Sequence, residues 1–244
     1  MRALTPNIIE LLDGFSRQSR LLITGSEKLI LKEYNSRVGL VKWFMVNVSS
    51  TPIKPYPYTL SSISRMEREV SFFKASTQGF KKPRIHVVDY IGVRVIRDYI
   101  EGEKISYESS AEVYEQYGRN LGMLHCSGWA LGDTKLSNFV YNSSGVYVID
   151  AEQAIKTNRI EHYAWDIAVF ASTFSIGCYS TCILNEEEYT GKIKSFIEGY
   201  LETPCSIPCE VVGILKDRAE ILLLIPFPLN FFFLKTLKTI QKHT

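Results

Sequence analysis

The sequence predicts an α+β protein with two lobes. The first lobe is a small antiparallel sheet with one helix, and the second lobe is mainly helical. Two short apolar runs, 21–24 and 29–32, flank Gly25 and Ser26 and predict a hairpin. Apolar residues at helical spacing from Ile63 to Phe73 predict the single helix of this lobe. Beyond these elements most of the chain is helical in pattern, which is why the second lobe is expected to be α-rich.

The boundary between the lobes is expected at a short connector that follows a second predicted hairpin. This connector is Tyr99-Ile100-Glu101-Gly102. We therefore expect an N-terminal lobe over 1–101 and a C-terminal lobe over 102–244. Between the first hairpin and the predicted helix, residues 48–60 hold three prolines and are predicted to form an exposed loop.

Composition narrows the class of protein. The chain has 244 residues, 45% apolar and 22% charged, which is ordinary for a globular protein. A net charge of +2 does not predict direct binding to nucleic acid. The fourteen uncharged residues 221–234 fall short of the roughly 20 that span a bilayer, so no transmembrane segment is predicted. The five cysteines form no Cys-x-x-Cys motif and are expected in a reducing cytoplasm. Cys178/Cys182 and Cys205/Cys209, each four residues apart, are interpreted as small buried residues on helices.

One loop carries the residues with the clearest chemical meaning. Asp133, Lys135 and Asn138 lie within six positions, and Asp150 follows at the exit of an apolar strand. Phosphoryl transfer from ATP needs a carboxylate near the attacking hydroxyl, a cation near the moving phosphate and oxygen ligands for Mg²⁺. Taken alone, an Asp with an Asn five residues later is better explained as a pair of residues that cap a turn.

The order of polar residues along the chain strengthens this interpretation. Lys32 ends a predicted strand, and Glu69 lies on the predicted helix that follows. A Lys–Glu ion pair that faces an Asp-Lys-Asn loop across a cleft is the arrangement that holds ATP phosphates in kinase-like enzymes. Lys42 is the alternative to Lys32 as the lysine that contacts ATP. The sequence after Lys42, however, does not predict that the chain returns to the sheet.

Three stretches carry a resemblance to a known family. Arg65-Met66-Glu67-Arg68-Glu69 resembles an Arg-rich stretch that ends in the helix Glu, Tyr99–Gly102 resembles a hinge, and Gly132–Phe139 resembles a catalytic loop. The chain therefore resembles the small atypical protein kinases, which include the RIO kinases, the kinase subunit of the KEOPS tRNA-modification complex and the lipopolysaccharide core heptose kinases. The likeness covers residues 20–170.

The resemblance implies a role for each matching residue, with ATP and Mg²⁺ or Mn²⁺ as cofactors. Lys32 would contact the ATP phosphates and Glu69 would pair with it, while Gly25 and Ser26 fall where a phosphate-covering loop belongs. Asp133 would be the catalytic carboxylate and Lys135 would neutralise the transferring phosphoryl group. The metal ligands would be Asn138 and Asp150, and the helix residue that braces the catalytic loop would be Asp166.

Several departures from the family pattern affect the expected function. Leu131 stands where most kinases have His, and Asp150-Ala151-Glu152 replaces Asp-Phe-Gly. The acidic Glu152 is similar to a residue of aminoglycoside and choline kinases. Only fifteen residues separate Asp150 from Asp166, too few for a long activation segment, so regulation by loop phosphorylation is not expected.

These observations predict an ATP-dependent kinase that phosphorylates a serine or threonine hydroxyl of a protein substrate. The first alternative is a small-molecule or sugar kinase, of the lipopolysaccharide core or aminoglycoside type, acting on a small hydroxyl-bearing acceptor. The second is a nucleotide-binding pseudokinase scaffold. His125 is predicted to be structural. The apolar C-terminal stretch is predicted to pack on the helical lobe or on a protein partner.

Overall fold

The computed structural model describes residues 18–25, 27–35, 56–217 and 222–240. Within these ranges the protein has the predicted α+β class, with a small antiparallel sheet and one helix preceding a helical region. The sheet has four strands in the order β1-β2-β4-β3. The strands are β1 (Ser19–Thr24), β2 (Glu27–Glu33), β3 (Ile85–Asp89) and β4 (Arg94–Asp98).

Helix α1 (Ser62–Lys74) packs on this sheet and carries Glu69 on its buried face. The side chain of Ser61 caps it by accepting a hydrogen bond from the Ser64 amide. The apolar spacing therefore located the helix well. The helix begins at Ser62, one residue before the first apolar residue of the predicted pattern, Ile63. A small core of Tyr34, Met66, Val70, Val93 and Val95 joins α1 to the sheet.

The C-terminal region contains the other five α-helices of the described chain. They are α2 (Ala111–Cys126), α3 (Ile160–Cys182), α4 (Glu186–Leu201), α5 (Ile207–Asp217) and α6 (Leu229–Ile240). Short strands β5 (Glu103–Lys104), β7 (Phe139–Asn142) and β8 (Gly145–Val148) form one sheet, and β6 (Trp129–Ala130) pairs with β9 (Ile155–Lys156). A turn of 3₁₀-helix spans Leu136–Asn138.

Helices α2 and α4 approach each other closely enough for their backbones to touch. A methyl group added at Gly118 would lie 1.9 Å from the carbonyl oxygen of Phe196, and one added at Gly199 would lie 2.1 Å from that of Glu115. Interiors as dense as this leave no room for an added methyl group. Glycine is therefore required on both helices to set their separation.

Helix α6 accounts for the apolar C-terminal stretch. Its residues Leu229, Phe233, Leu237 and Ile240 are buried in the main core, so packing on the helical lobe is observed. Phe231 on the same helix stays 60% exposed. A protein partner at this surface remains a prediction. No helix of the part of the chain that the structure describes is long and apolar enough to cross a membrane.

The cysteines depart from the sequence interpretation. Cys126 is bonded to Cys205, 79 residues away, and Cys178 is bonded to Cys182 on α3. Cys209 is exposed and free. Disulfides are typical of oxidising compartments but also occur inside the cells of hyperthermophilic archaea. The two pairs therefore fit both an oxidising compartment and such a cytoplasm.

Candidate functional site

A cavity of about 410 Å³ separates the sheet from the helical region. Its walls combine apolar residues of both parts with cationic and metal-ligating side chains. The lining residues are Gln18, Ser19, Ile30, Lys32, Arg97, Tyr99, Ile100, Gly102, Lys104, Lys135, Ser137, Asn138, Val140, Ile149 and Asp150. The structure therefore brings four of the predicted site residues, Lys32, Lys135, Asn138 and Asp150, to one crevice.

Lys32 forms the centre of a buried cluster of charges. Its Nζ lies 2.5 Å from Glu69 Oε2 and 2.9 Å from Asp150 Oδ1, and the Lys32 side chain is 3% exposed. Burial alone would lower the pKa of Lys32, but the carboxylates of Asp150 and Glu69 outweigh it and hold that pKa well above its usual range. Burial also raises the pKa of Glu69, and the Lys32 charge opposes this rise. The amine therefore carries a fixed positive charge at neutral pH.

A second buried ion pair lies beside the first and was not predicted. Arg65 Nη1 contacts Glu152 Oε2 at 3.0 Å, and both side chains are at most 2% exposed. Glu152 Oε2 is also 3.9 Å from Lys32 Nζ. Because Arg65 lies on α1 and Glu152 follows Asp150 by two residues, the pair ties that helix to the segment after the strand. The Arg65–Glu69 stretch was recognised in the sequence, but the partner of Arg65 carries no local signal.

The predicted catalytic loop is held by hydrogen bonds to its own backbone carbonyl groups. Asn138 Nδ2 donates to the carbonyl oxygen of Asp133 at 2.8 Å, which closes the loop, and the Ile149 amide donates to the Asn138 carbonyl at 2.9 Å. Lys135 Nζ lies 3.5 Å from Asp133 Oδ2. That oxygen is buried and accepts no hydrogen bond from any residue the structure describes. A buried acceptor without a hydrogen bond is uncommon in proteins, which marks Asp133 as a candidate functional residue.

Asp166 on α3 anchors the loop from beneath. Its carboxylate accepts hydrogen bonds from the amides of Leu131 at 2.7 Å and Gly132 at 2.6 Å. His125 Nε2 lies 3.1 Å from the same carboxylate, and its Nδ1 lies 2.7 Å from the Tyr200 hydroxyl. His125 is thus fully buried with both nitrogens bonded. These contacts are those of a structural histidine, which is the role predicted for His125.

Burial of His125 predicts a specific dependence of stability on pH. Burial lowers the pKa of His125, although Asp166 opposes the shift, so the folded protein resists protonation that the unfolded chain accepts. Between the usual histidine pKa of about 6.5 and the lowered folded value, the unfolding free energy should fall by up to about 1.4 kcal/mol per pH unit as pH drops. Chemical denaturation from pH 7 to pH 5 measures this slope.

The matched variants for this test are His125→Gln and His86→Gln. His86 lies at the surface beside Asp98, so its replacement should leave the slope unchanged. His125→Gln should flatten the slope between pH 6.5 and 5. Equal slopes in the two variants would assign the acid sensitivity to other groups.

The segment immediately before α1 is not the exposed loop that its prolines suggest. Tyr56 is 2% exposed, and its hydroxyl lies 2.8 Å from the carbonyl oxygen of Gln153. Tyr58 donates from its hydroxyl to the carbonyl oxygen of Gly132 at 2.7 Å. The prediction of an exposed loop is therefore wrong at Tyr56, which is buried, and holds at Pro57, which is exposed, while residues 58–60 are half-buried. The rest of that loop, 48–55, lies outside the described residues.

Gly25 does not approach the cavity. It forms the tip of the β1–β2 hairpin with a φ of +64°, whereas Lys32 pairs with Ser19 at the other end of the hairpin. Gln18 and Ser19 are the hairpin residues that line the cavity near Lys32. Ser26 and the alternative lysine, Lys42, lie outside the described residues.

The cavity lining holds the kinds of side chain that could bind a nucleoside triphosphate with a divalent cation. Lys32, Arg97, Lys104 and Lys135 supply positive charge, and Ile30, Val140 and Ile149 supply apolar surface suited to a base. Asn138 and Asp150 supply two oxygen ligands of the kind Mg²⁺ uses when it keeps several waters. Among the described residues, no group of three or more His, Cys, Asp and Glu side chains is arranged as a metal site. A two-ligand site for Mg²⁺ bound with phosphates is therefore the arrangement that the donors fit.

Comparison with known proteins identifies relatives but no matching family model. The chain is 31% identical over 108 residues to a probable bifunctional tRNA threonylcarbamoyladenosine biosynthesis protein of Methanospirillum hungatei, covering 44% of this chain and 19% of that protein. It is 31% identical over 101 residues to KEOPS complex subunit Bud32 of Pyrococcus abyssi, covering 38% and 46%. It is 26% identical over 115 residues to a probable serine/threonine-protein kinase BUD32 homolog of Archaeoglobus fulgidus, covering 47% and 55%.

These homologues lie in the atypical, protein-kinase-like group that the sequence motifs indicated. The likeness is low in identity and partial in extent. The match covers about a fifth of the bifunctional protein and about half of the two shorter relatives. A kinase-like protein is thereby supported, and the resemblance recognised in the sequence is confirmed.

Proposed function

We propose that this chain, whose homologues are Bud32-type proteins of the atypical kinase-like group, is an ATP-dependent phosphotransferase. It transfers the γ-phosphate to a serine or threonine hydroxyl of a protein. In this proposal, 1–101 form the nucleotide-covering lobe and 102–244 form the lobe with the catalytic loop. The cluster of Lys32, Glu69 and Asp150 at the cavity is the observation that carries the proposal.

The charge balance of this cluster supports nucleotide binding. Three buried cations, Lys32, Arg65 and Arg97, face three carboxylates, Glu69, Asp150 and Glu152. Asp150 would be a ligand of a bound Mg²⁺, which would supply positive charge to the phosphates. Lys32 would then contact phosphate oxygens, and Glu69 would keep it oriented. These six side chains together carry no net charge, so Lys104 and Lys135 supply the excess positive charge of the cavity.

The catalytic loop provides the remaining parts. Asp133 orients the acceptor hydroxyl and accepts its proton with its carboxylate, which lies beside Lys135. Lys135, 3.5 Å from Asp133, neutralises charge on the transferring phosphoryl group. Asn138 holds the metal with its amide oxygen, because its Nδ2 is committed to the Asp133 carbonyl.

One observation favours a different acceptor as a second candidate. The fifteen residues between Asp150 and Asp166 leave little chain for a platform that docks a peptide. A small-molecule acceptor would need no such platform. The buried Glu152, two residues after Asp150, is the further feature that this candidate shares with small-molecule kinases.

The names of the relatives suggest the process in which the chain acts. One is a KEOPS complex subunit and another is a tRNA threonylcarbamoyladenosine biosynthesis protein. We propose that this chain likewise works with protein partners in tRNA modification. That setting brings tRNA near the protein, whereas the charge of +2 alone predicts no direct contact with nucleic acid.

Incubation with γ-labelled ATP and Mg²⁺ or Mn²⁺ tests the proposal. Labelled protein supports the protein kinase, a labelled small acceptor supports the second candidate, and nucleotide binding without turnover indicates a pseudokinase scaffold. Asp150→Asn should abolish turnover and the Mg²⁺-dependent part of ATP binding, because it removes the charged metal ligand. Calorimetric titration with and without Mg²⁺ measures this.

Asp89→Asn is the matched control for this variant. Asp89 is also a paired carboxylate at a strand end, but it contacts Arg94 at the surface, away from the cavity. It should leave metal-dependent binding unchanged. Retention of Mg²⁺-dependent binding by Asp150→Asn would remove Asp150 from the metal site.

A further inference from the structure

The residues Tyr56–Leu60, here called the brace segment, contact both halves of the candidate site. They pass between the catalytic loop and the chain that follows Asp150, and they lead directly into α1. We propose that the brace segment positions Asp133, with the Tyr58 hydroxyl as the positioning group, and couples it to Glu69 on α1. The inference rests on the proposed phosphotransferase function of the same site.

The first contact is with the catalytic loop. The Tyr58 hydroxyl donates to the Gly132 carbonyl at 2.7 Å and accepts from Trp165 Nε1 at 2.6 Å. That carbonyl belongs to the peptide bond joining Gly132 to Asp133. Because a peptide unit is planar, fixing its oxygen also fixes the direction in which the Asp133 backbone leaves. Tyr58 therefore acts on Asp133 through one rigid unit.

The shape of the loop depends on the same segment. Gly132 has a φ of +74°, and a methyl group there would lie 2.3 Å from Cε1 of Tyr56. The left-handed backbone and the tyrosine ring thus both require glycine at this position. The Tyr56 ring fills the space that a side chain at Gly132 would occupy.

The second contact is with the segment after Asp150. The Gln153 side chain accepts from the Thr59 amide at 3.0 Å and donates to the Thr59 carbonyl at 3.0 Å, as a neighbouring strand would. Tyr56 adds its hydroxyl bond to the Gln153 carbonyl. Gln153 is fully buried, so these bonds are protected from competing water.

The third contact joins the brace segment to α1. Arg68 Nη1 donates to the Pro57 carbonyl at 2.9 Å and lies 3.3 Å from Gln153 Oε1. Ser61, immediately after the segment, caps α1, and Glu69 follows eight residues later on the buried face. A movement of α1 would therefore reach the peptide before Asp133 through the brace segment, with no long flexible loop between them.

The variant Tyr58→Phe tests the proposal because it removes the shorter of the two hydrogen bonds to the Gly132 carbonyl and leaves only the longer one, 3.2 Å from Trp165 Nε1. Transfer of label from γ-labelled Mg·ATP gives kcat and KM, and titration with Mg·ADP gives nucleotide affinity. We expect kcat to fall about ten-fold or more with KM and affinity little changed, since small misplacements of a reacting group cost this much. Tyr179→Phe, which removes a hydroxyl bond to the Phe227 carbonyl far from the site, should leave kcat unchanged.

Hydrogen exchange of a peptide covering 130–136 provides a second measurement that does not need turnover. Tyr58→Phe should speed exchange there and leave exchange in α4 unchanged. A wild-type kcat, or a parallel loss of kcat, nucleotide affinity and thermal stability, would overturn the positioning role. Wild-type protein that transfers no label from γ-labelled ATP to protein, small acceptor or water would refute the proposed function and this role. Unchanged exchange in an active enzyme would refute only the role of the brace segment.

Discussion

Replacement of Asp133 by Asn should reduce phosphoryl transfer by about 10²- to 10⁴-fold, the usual contribution of a positioned acid or base. The loop should keep its shape, because Asn138 bonds the backbone oxygen of Asp133 and not its side chain. Nucleotide binding should persist, since Asp133 is not among the residues that line the cavity. Rates with labelled ATP and calorimetric titration with Mg·ATP measure the two effects separately.

Asp98→Asn is a suitable control for Asp133→Asn. Asp98 is a β4 carboxylate that bonds His86 and the Arg84 amide at the surface. Its replacement should leave the transfer rate unchanged. Full activity of Asp133→Asn would show that another group accepts the proton, and a loss of nucleotide affinity would show that the change spread beyond the loop.

Replacement of Lys32 by Met should destabilise the protein and abolish nucleotide binding together. It leaves the carboxylate of Glu69 buried without its nearest cation, and breaking a buried ion pair on one side costs about 3–5 kcal/mol. The double variant Lys32→Met with Glu69→Gln should recover most of that stability, because the cluster again holds equal numbers of cations and carboxylates. It should not recover binding. Denaturant unfolding and titration with Mg·ATP distinguish these effects.

Lys28→Met is the matched control on the same strand. Lys28 pairs with Glu101 at the surface, where ion pairs contribute little. Its replacement should leave the unfolding midpoint and the nucleotide affinity almost unchanged. If Lys32→Met bound Mg·ATP with wild-type affinity, the proposed phosphate contact would have to move to another cation.

The sequence predicted those parts of the site that depend on the order of residues and secondary-structure elements along the chain. A lysine that ends a strand, a glutamate on the next helix and an aspartate after a later strand are each visible locally, and the structure brings Lys32, Glu69 and Asp150 together. The α+β architecture followed from the same reasoning, because strand and helix periodicities are also local signals. The chemical roles of these residues stay predictions.

The parts that were missed depend on partners far apart in sequence. The prolines around Tyr56 predicted solvent exposure, but its ring found a buried position against Gly132, more than seventy residues later. Arg65 and Glu152 are likewise brought together only by the packing of α1. Gly25 was assigned to a phosphate-covering loop by the family resemblance, and the register of β1 with β2 carries it away from Lys32.

The close contact of α2 with α4 has a consequence for how the chain tolerates insertions. Gly118 and Gly199 fix the rotation of the two helices about their axes, and seven residues after Gly118 the same helix presents His125 to Asp166. One residue inserted between Gly118 and His125 would turn the imidazole by about 100° around α2. Insertions and deletions in related chains should therefore lie in the surface turns of this lobe. The stretch from Gly118 to His125 should keep a constant length.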